Sequence, residues 1–155
     1  MRRRDREVKG KEEIAAIMAK CDAVSVAFAG EKPYVIPMSF GFEWTGEYPV
    51  LYLHGAGKGE KVTRLEKDSR VAFSMYTGTK LQTGATACAY STSYESVCGN
   101  GMMTRLSGEE KRHGLDALMR QYAGEKTFVF EDKMVESVNV WKIDVKDISG
   151  KKRAG

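Results

Sequence analysis

Apolar residues change their spacing several times along this chain, and each change marks an element. Ile14, Ile17, Met18 and Cys21 stand at i, i+3, i+4 and i+7, which is one apolar helix face. Glu12 and Glu13 fall in the first turn, where the dipole favours acids. From Asp22 the period becomes two. Residues 23–28 and 33–40, separated by Gly30-Glu31-Lys32, predict a hairpin. Pro37 has no N–H for a ladder, so its strand is expected at a sheet edge or a bulge. Gly41, Trp44, Gly46 and Pro49 suggest a loop before a strand over 50–54, and 71–76 is the next strand. Residues 85–90 carry alanine at every other position, which would make one sheet face nearly flat. A long strand over 94–106 is punctuated by Gly99 and Gly101, a pattern that bends strands at barrel corners. Ser107-Gly-Glu-Glu110 predicts a capping box, opening a helix with Leu115, Leu118, Met119 and Tyr122 on one face and Gly124 at its end. A short helix near 131–135 precedes a last strand, where Trp141, Ile143 and Val145 share a side. Hairpin-like order without regular strand–helix alternation points to a mainly β fold, a small six-stranded antiparallel barrel with a few flanking helices.

One turn carries candidate chemistry. Leu51-Tyr-Leu-His54-Gly55-Ala56-Gly57-Lys58-Gly59-Glu60-Lys61 runs from a strand through three glycines and two lysines into a short helix over 62–67. Glycines let backbone N–H groups close around oxygens, and a helix start adds unpaired donors and a positive dipole end. Lys58 or Lys61 can supply a full charge. An ordinary strand-to-helix turn with solvated lysines has the same composition. Neither a Walker A loop nor a GxGxxG fingerprint is present.

Composition narrows the rest. The 155 residues suit one domain with a sizeable core, and a net charge of +4 tolerates anionic ligands without demanding nucleic acid. Four basic residues among the first six could form a nucleic-acid arm, but interleaved acids and no aromatics suit a solvated terminus over residues 1–9. Cys21, Cys88 and Cys98 form no CxxC pair, and the two histidines fit no zinc spacing, so free thiols, no metal and a cytoplasmic location are expected. No apolar run would span a bilayer. Cys98 is read as a buried space-filling thiol, and His113, between Lys111-Arg112 and Gly114, as a solvated face.

Several segments in order carry a resemblance. They are residues 2–7, Lys32-Pro-Tyr-Val-Ile-Pro37-Met38-Ser39-Phe40-Gly41, Leu51-Tyr-Leu-His54-Gly55-Ala56 with Gly59 and Lys61, Tyr94-x-Ser96-Val97 before Gly99 and Gly101, and the ending Ile148-Ser-Gly-Lys-Lys-Arg153. Across almost its whole length the chain resembles the FMN-binding split barrels related to pyridoxamine 5′-phosphate oxidase, nearest the nitroimidazole-resistance (Nim-type) branch. The resemblance implies a homodimer with FMN between its subunits. By it, Pro37, Met38, Ser39 and Phe40 would line the isoalloxazine, partly through backbone groups. His54, Gly55, Ala56, Gly59 and Lys61 would surround the phosphate, and Ser96 and Val97 would reach the flavin from the other subunit. Two or three hydrogen bonds to a charged group, at roughly 1.5–3 kcal/mol each, would supply much of the ~8 kcal/mol of a micromolar complex.

Relatives often carry Asn at Ser39 and Arg at Glu95, and the oxidases proper end in Arg-Leu-x-Pro where this chain has Gly150-Lys-Lys-Arg-Ala-Gly. The resemblance therefore favours an FMN-dependent oxidoreductase of nitroreductase type over vitamin-B6 oxidation. Electrons would pass from NADH or NADPH to a small acceptor such as a nitroaromatic or quinone, with no nucleic-acid or membrane partner. A flavin- or haem-binding protein without turnover is the alternative. His54 is the candidate catalytic residue, because an imidazole titrates near neutrality. A structural or flavin-contacting role is favoured for it over proton donation.

Overall fold

The computed structural model describes residues 3–154. Its strands are β1 (Glu7–Val8), β2 (Val24–Phe28), β3 (Tyr34–Met38), β4 (Phe40–Glu43), β5 (Val50–Gly55), β6 (Arg70–Gln82), β7 (Ser91–Arg105) and β8 (Asn139–Arg153). Its α-helices are α1 (Lys11–Ala19), α2 (Glu60–Lys67), α3 (Gly108–Ala123) and α4 (Asp132–Ser137). One antiparallel sheet runs β3-β2-β6-β7-β8-β5-β4, with β1 added to β8. Its two end strands, β3 and β4, are separated in the chain only by Ser39. The sheet therefore curls until its ends meet at Ser39, and because β3 and β4 do not pair, the barrel is split there.

Pro37 sits on β3, an end strand paired only to β2, as a proline without a ladder donor requires. There are eight strands rather than six. Residues 34–43 form two strands, because the chain changes partner from β2 to β5 across Ser39. β1 is too short to show a period. The alanine stretch is no strand at all: residues 87–89 are a turn of 3-10 helix within an exposed connection. Small alanines that bury little area do not hold a strand against a sheet.

The flat face lies elsewhere. Ser25, Ser74, Cys98 and Ser149 stand in one row across β2, β6, β7 and β8, beside a row of Ala27, Ala72 and Asn100. Cys98 is exposed there, touching Ser74 Oγ at 3.4 Å, and is not the buried thiol expected. The thiol that fills core space is Cys21.

The barrel interior is closed by Phe40, Leu51, Leu53, Phe73, Met75 and Ile143, with Ile14, Ile17 and Met18 of α1 across one end. β7 shifts register between Asn100 and Gly101, where a Cβ on Gly101 would stand 2.3 Å from Asp144 O. The glycine punctuation thus marks a real bulge with close strand approach. α3 lies outside the barrel on Tyr52 and Val140, with Leu118 and Ala117 buried against them. It also covers the β4 edge, where Glu43 binds both Arg120 and His113. His113 is therefore anchored rather than merely solvated, and its ring meets Tyr52 edge-on at 5.6 Å. Ser107 is the N-cap of α3, but its side chain makes no cap hydrogen bond, so the capping box does not form. Gly124 ends that helix at φ +73°, as its position predicts.

The described part of the basic terminus is folded down. Glu7 and Val8 pair with Lys151 and Gly150, while Arg3 binds Asp5 at 2.7 Å. Met1 and Arg2 lie outside the described residues.

Candidate functional site

Side chains alternate along β5, so neighbouring residues serve opposite faces. Leu51, Leu53 and Gly55 face the barrel, whereas Tyr52 and His54 face α3. The glycine turn then carries the chain into α2, whose N-cap Gly59 has φ +108° and no side-chain cap. Only a glycine takes that backbone conformation cheaply.

Lys61, in the first turn of α2, folds back under this turn. Its side chain is 7% exposed, and its ammonium stands 3.9 Å from the centre of the Trp141 ring. A Cβ on Gly55 would fall 2.7 Å from Lys61 Nζ, and 3.8 Å from the Met38 methyl. Gly55 is therefore the gap that admits the lysine. Burial alone pulls the Lys61 pKa down, with no acid contributing. Among the described residues no carboxylate or hydrogen-bond acceptor pairs with it. A half-desolvated cation over an aromatic face, beside a glycine turn, is suited to an anionic oxygen.

Two supports hold the turn, and neither is apparent from local pattern. Arg64 of α2 donates to Lys32 O at 2.6 Å, packs over Tyr34 and bonds Glu60, clamping the helix to the β2–β3 hairpin. Its i,i+4 spacing from Glu60 is the one available signal. Asn139, held by Arg105, packs so closely under Gly57 that a Cβ there would be 2.5 Å from its amide nitrogen.

The expected site residues divide into three places. Met38, Gly55 and Lys61 meet around Trp141, with Ala56 and Gly59 exposed in the turn above them. Ser39 and His54 instead line a cavity of about 350 Å³ outside the barrel. α3 supplies Leu115, Leu118, Met119 and Tyr122 to its wall, and Phe130, Met134, Val135 and Val138 complete it. Ser96 and Val97 join neither group. Ser96 pairs with Lys151, while β5 pairs with residues 139–144 of β8, so Ser96 belongs to the far end of that ladder. The Val97 side chain is fully buried in its own barrel. Phe40 is also fully buried, and its N–H is already taken by Tyr122 Oη at 3.0 Å, leaving Pro37 and Ser39 as the exposed residues of that run, with Met38 buried between them.

Tyr122 is a tie that the sequence does not reveal. Its hydroxyl accepts from Phe40 N and donates to Asp22 O at 2.8 Å, joining α3 to the split in the barrel. Tyr122→Phe should cost about 1–3 kcal/mol, because the Phe40 N–H loses its acceptor. A thermal melt unchanged from wild type would show that the tie is idle.

Glu95 receives Lys20 and Lys152, the latter at 3.0 Å. Lys20 and Lys152 hold its carboxyl below the ordinary value, chiefly through the bond from Lys20. The acid at this position is a node between α1 and β8. Among the described residues no helix is long and apolar enough to cross a membrane.

Fold and turn together define a small split β-barrel whose β5–α2 glycine turn is backed by Lys61. Residues 10–152 match a family model described as pyridoxamine 5′-phosphate oxidase, and the chain belongs to that family. A solved structure from Bacteroides thetaiotaomicron VPI-5482, titled as a candidate 5-nitroimidazole antibiotic resistance protein, is similar at 34% identity and TM-score 0.80. That alignment covers 94% of this chain and 86% of the other. The FAD and heme binding protein from Mycobacterium smegmatis shares the fold at 18% identity and TM-score 0.81, covering 97% of this chain and 74% of that one. The flavocytochrome Anf3 from Azotobacter vinelandii shares it at 21% identity and TM-score 0.79, covering 100% and 72%. No curated protein matches the chain in sequence.

Proposed function

We propose that this protein is an FMN-dependent oxidoreductase that works as a homodimer. The observation that carries the reading is Lys61, a buried lysine whose ammonium reaches the surface beneath the glycine turn with no counter-ion among the described residues. A phosphate monoester would complete it, and the uncapped start of α2 would add N–H donors. The residues present therefore fit the phosphate end of FMN. Gly55, Ala56, Gly59 and Lys61 would hold that phosphate, and Pro37, Met38 and Ser39 would lie along the ring system.

The bound flavin supplies two-electron chemistry, so that a reduced nicotinamide, a proton and an oxidised acceptor become oxidised nicotinamide and an acceptor carrying two more hydrogens. The chain's own part is to bind, orient and exclude water. His54, exposed and without a hydrogen-bond partner among the described residues, is free to hold or deliver a proton at the acceptor. Ser96, at the far end of the ladder, would reach the flavin of a second copy. The row of small side chains from Ser25 to Ser149 supports close contact with that copy.

The test is direct. Purified protein is expected to be yellow, to elute as two chains, to release one FMN per chain on denaturation, and to speed NADH or NADPH consumption when a nitroimidazole is added. Colourless protein that takes up no FMN would overturn the cofactor; yellow protein inert with every acceptor would reduce it to a flavin carrier.

A further inference from the structure

We infer that the cavity between α3 and the outer face of β5 and β8 binds long aliphatic diamines and polyamines in their protonated, ammonium forms. None of its lining residues belongs to the glycine turn or to the run from Pro37 to Phe40, so the site is separate from the one described above. At about 460 Å³ the cavity is within the size range of small-molecule sites. Its floor is apolar, built from Val50, Leu106 and the ring of Tyr52. Glu109 and Asp116 of α3 also line it. Seven residues apart, these two acids share one helix face and stand about 10 Å from each other along the axis. A linear molecule with a cationic group at each end and methylenes between would meet both acids and cover the floor.

The charges around this cavity are not balanced from within. Two cations line it, but each is already held. Arg112 binds Asp132 and donates to Phe130 O, and Lys142 lies between Glu110 and Asp144 at 3.9 and 3.7 Å. His113 is bonded to Glu43. Among the described residues neither Glu109 nor Asp116 has an ion-pair or hydrogen-bond partner, and Asp116 is half-buried. Tyr52 points the same way by a different route. It is 9% exposed, yet its hydroxyl makes no hydrogen bond of ordinary geometry among the described residues. No fully buried side-chain oxygen there lacks a partner, so this hydroxyl opens into the cavity that Tyr52 lines. The acid beside it, Glu43, is engaged by Arg120 and His113. Burial raises the Tyr52 pKa, and Glu43, Asp144 and Glu110 raise it further, so the field at that oxygen favours a cation. A dicarboxylate would meet uncompensated acids of its own sign, and a neutral chain would leave those acids unpaired.

Isothermal titration calorimetry of the full chain as purified, at low salt, tests this with octamethylenediamine and with tetramethylenediamine, which is too short to reach both acids. The long diamine should bind about tenfold more tightly than the short one, since only it pairs both ends across the apolar floor. Asp116→Asn, at a half-buried position, should cost about tenfold in affinity, and the exposed Glu109→Gln about threefold. Tyr52→Phe, which keeps the ring in the floor, should cost about threefold as well. Glu31→Gln, on the exposed β2–β3 turn, should leave affinity unchanged. Suberate, a dicarboxylate of similar length, should not bind. Equal affinity for the two diamines, or binding of suberate, would overturn the inference. So would wild-type affinity in a variant carrying both Asp116→Asn and Glu109→Gln. An equal loss in Glu31→Gln would do the same, because it marks diffuse attraction to a charged surface. The flavin reading stands or falls separately, on the colour of the same samples.

Discussion

Lys61→Met should weaken FMN retention roughly ten- to a hundredfold while leaving the flavin-free protein at least as stable as wild type. A hydrogen bond to a charged group contributes roughly 1.5–3 kcal/mol, and each ~1.4 kcal/mol is tenfold in affinity. The methionine keeps the stem against Trp141 and removes only the ammonium. Because that ammonium is partly desolvated with no counter-charge among the described residues, its removal also takes away a desolvation cost. A lysine whose role was purely structural would behave oppositely, losing stability and sparing affinity.

The pH dependence has a definite sign. Burial lowers the Lys61 pKa below its ordinary 10.5, so the folded chain holds this proton less firmly than the unfolded chain. The penalty is fully present below the folded value and vanishes above 10.5. Any advantage of the flavin-free variant over wild type should therefore shrink as pH rises through that window. Urea midpoints of the two proteins, at neutral and alkaline pH, measure the difference directly. Unaltered FMN affinity in the variant would move the phosphate anchor elsewhere.

Gly41→Ala should be the most damaging single methyl in the barrel. Its Cβ would stand 2.2 Å from Ala117 O and 2.6 Å from Leu118 N, both backbone atoms of α3 that no rotamer change can move. The helix would have to lift from β4, disturbing the links from Glu43 to Arg120 and His113. Overpacking of this kind costs about 3 kcal/mol or more, a fall of roughly 6–12 °C in Tm for a chain of this size. Gly46→Ala is the control, with nothing nearer than Tyr48 O at 4.0 Å. Equal melting temperatures for the two variants would refute the close approach.

Much of this molecule is legible in residue order. The period-two runs on either side of Gly30, the core face of Trp141, Ile143 and Val145, and the stop at Gly124 are local properties, set by steric preference and by which face is apolar. The glycine turn is legible for the same reason, because glycines at a strand–helix junction permit backbone conformations closed to other residues. The alanine run was misleading since alternation without bulk buries too little surface to hold a strand. Cys98 is exposed beside Ser74 rather than buried, and His113 is exposed as its neighbours suggest but also meets Glu43 and Tyr52, because these partners come from other strands.

What the sequence determined by itself was the kind of element at most places and the glycine turn that leads into Lys61. Tertiary structure alone decided which of them meet. Adjacent residues on β5 face opposite ways, so His54 and Gly55 serve separate compartments although they share a peptide bond. Closing the sheet at Ser39 brought Met38 and Lys61 together over Trp141, a contact between three elements distant in the chain. Such meetings depend on strand order and curvature, and no local preference encodes either.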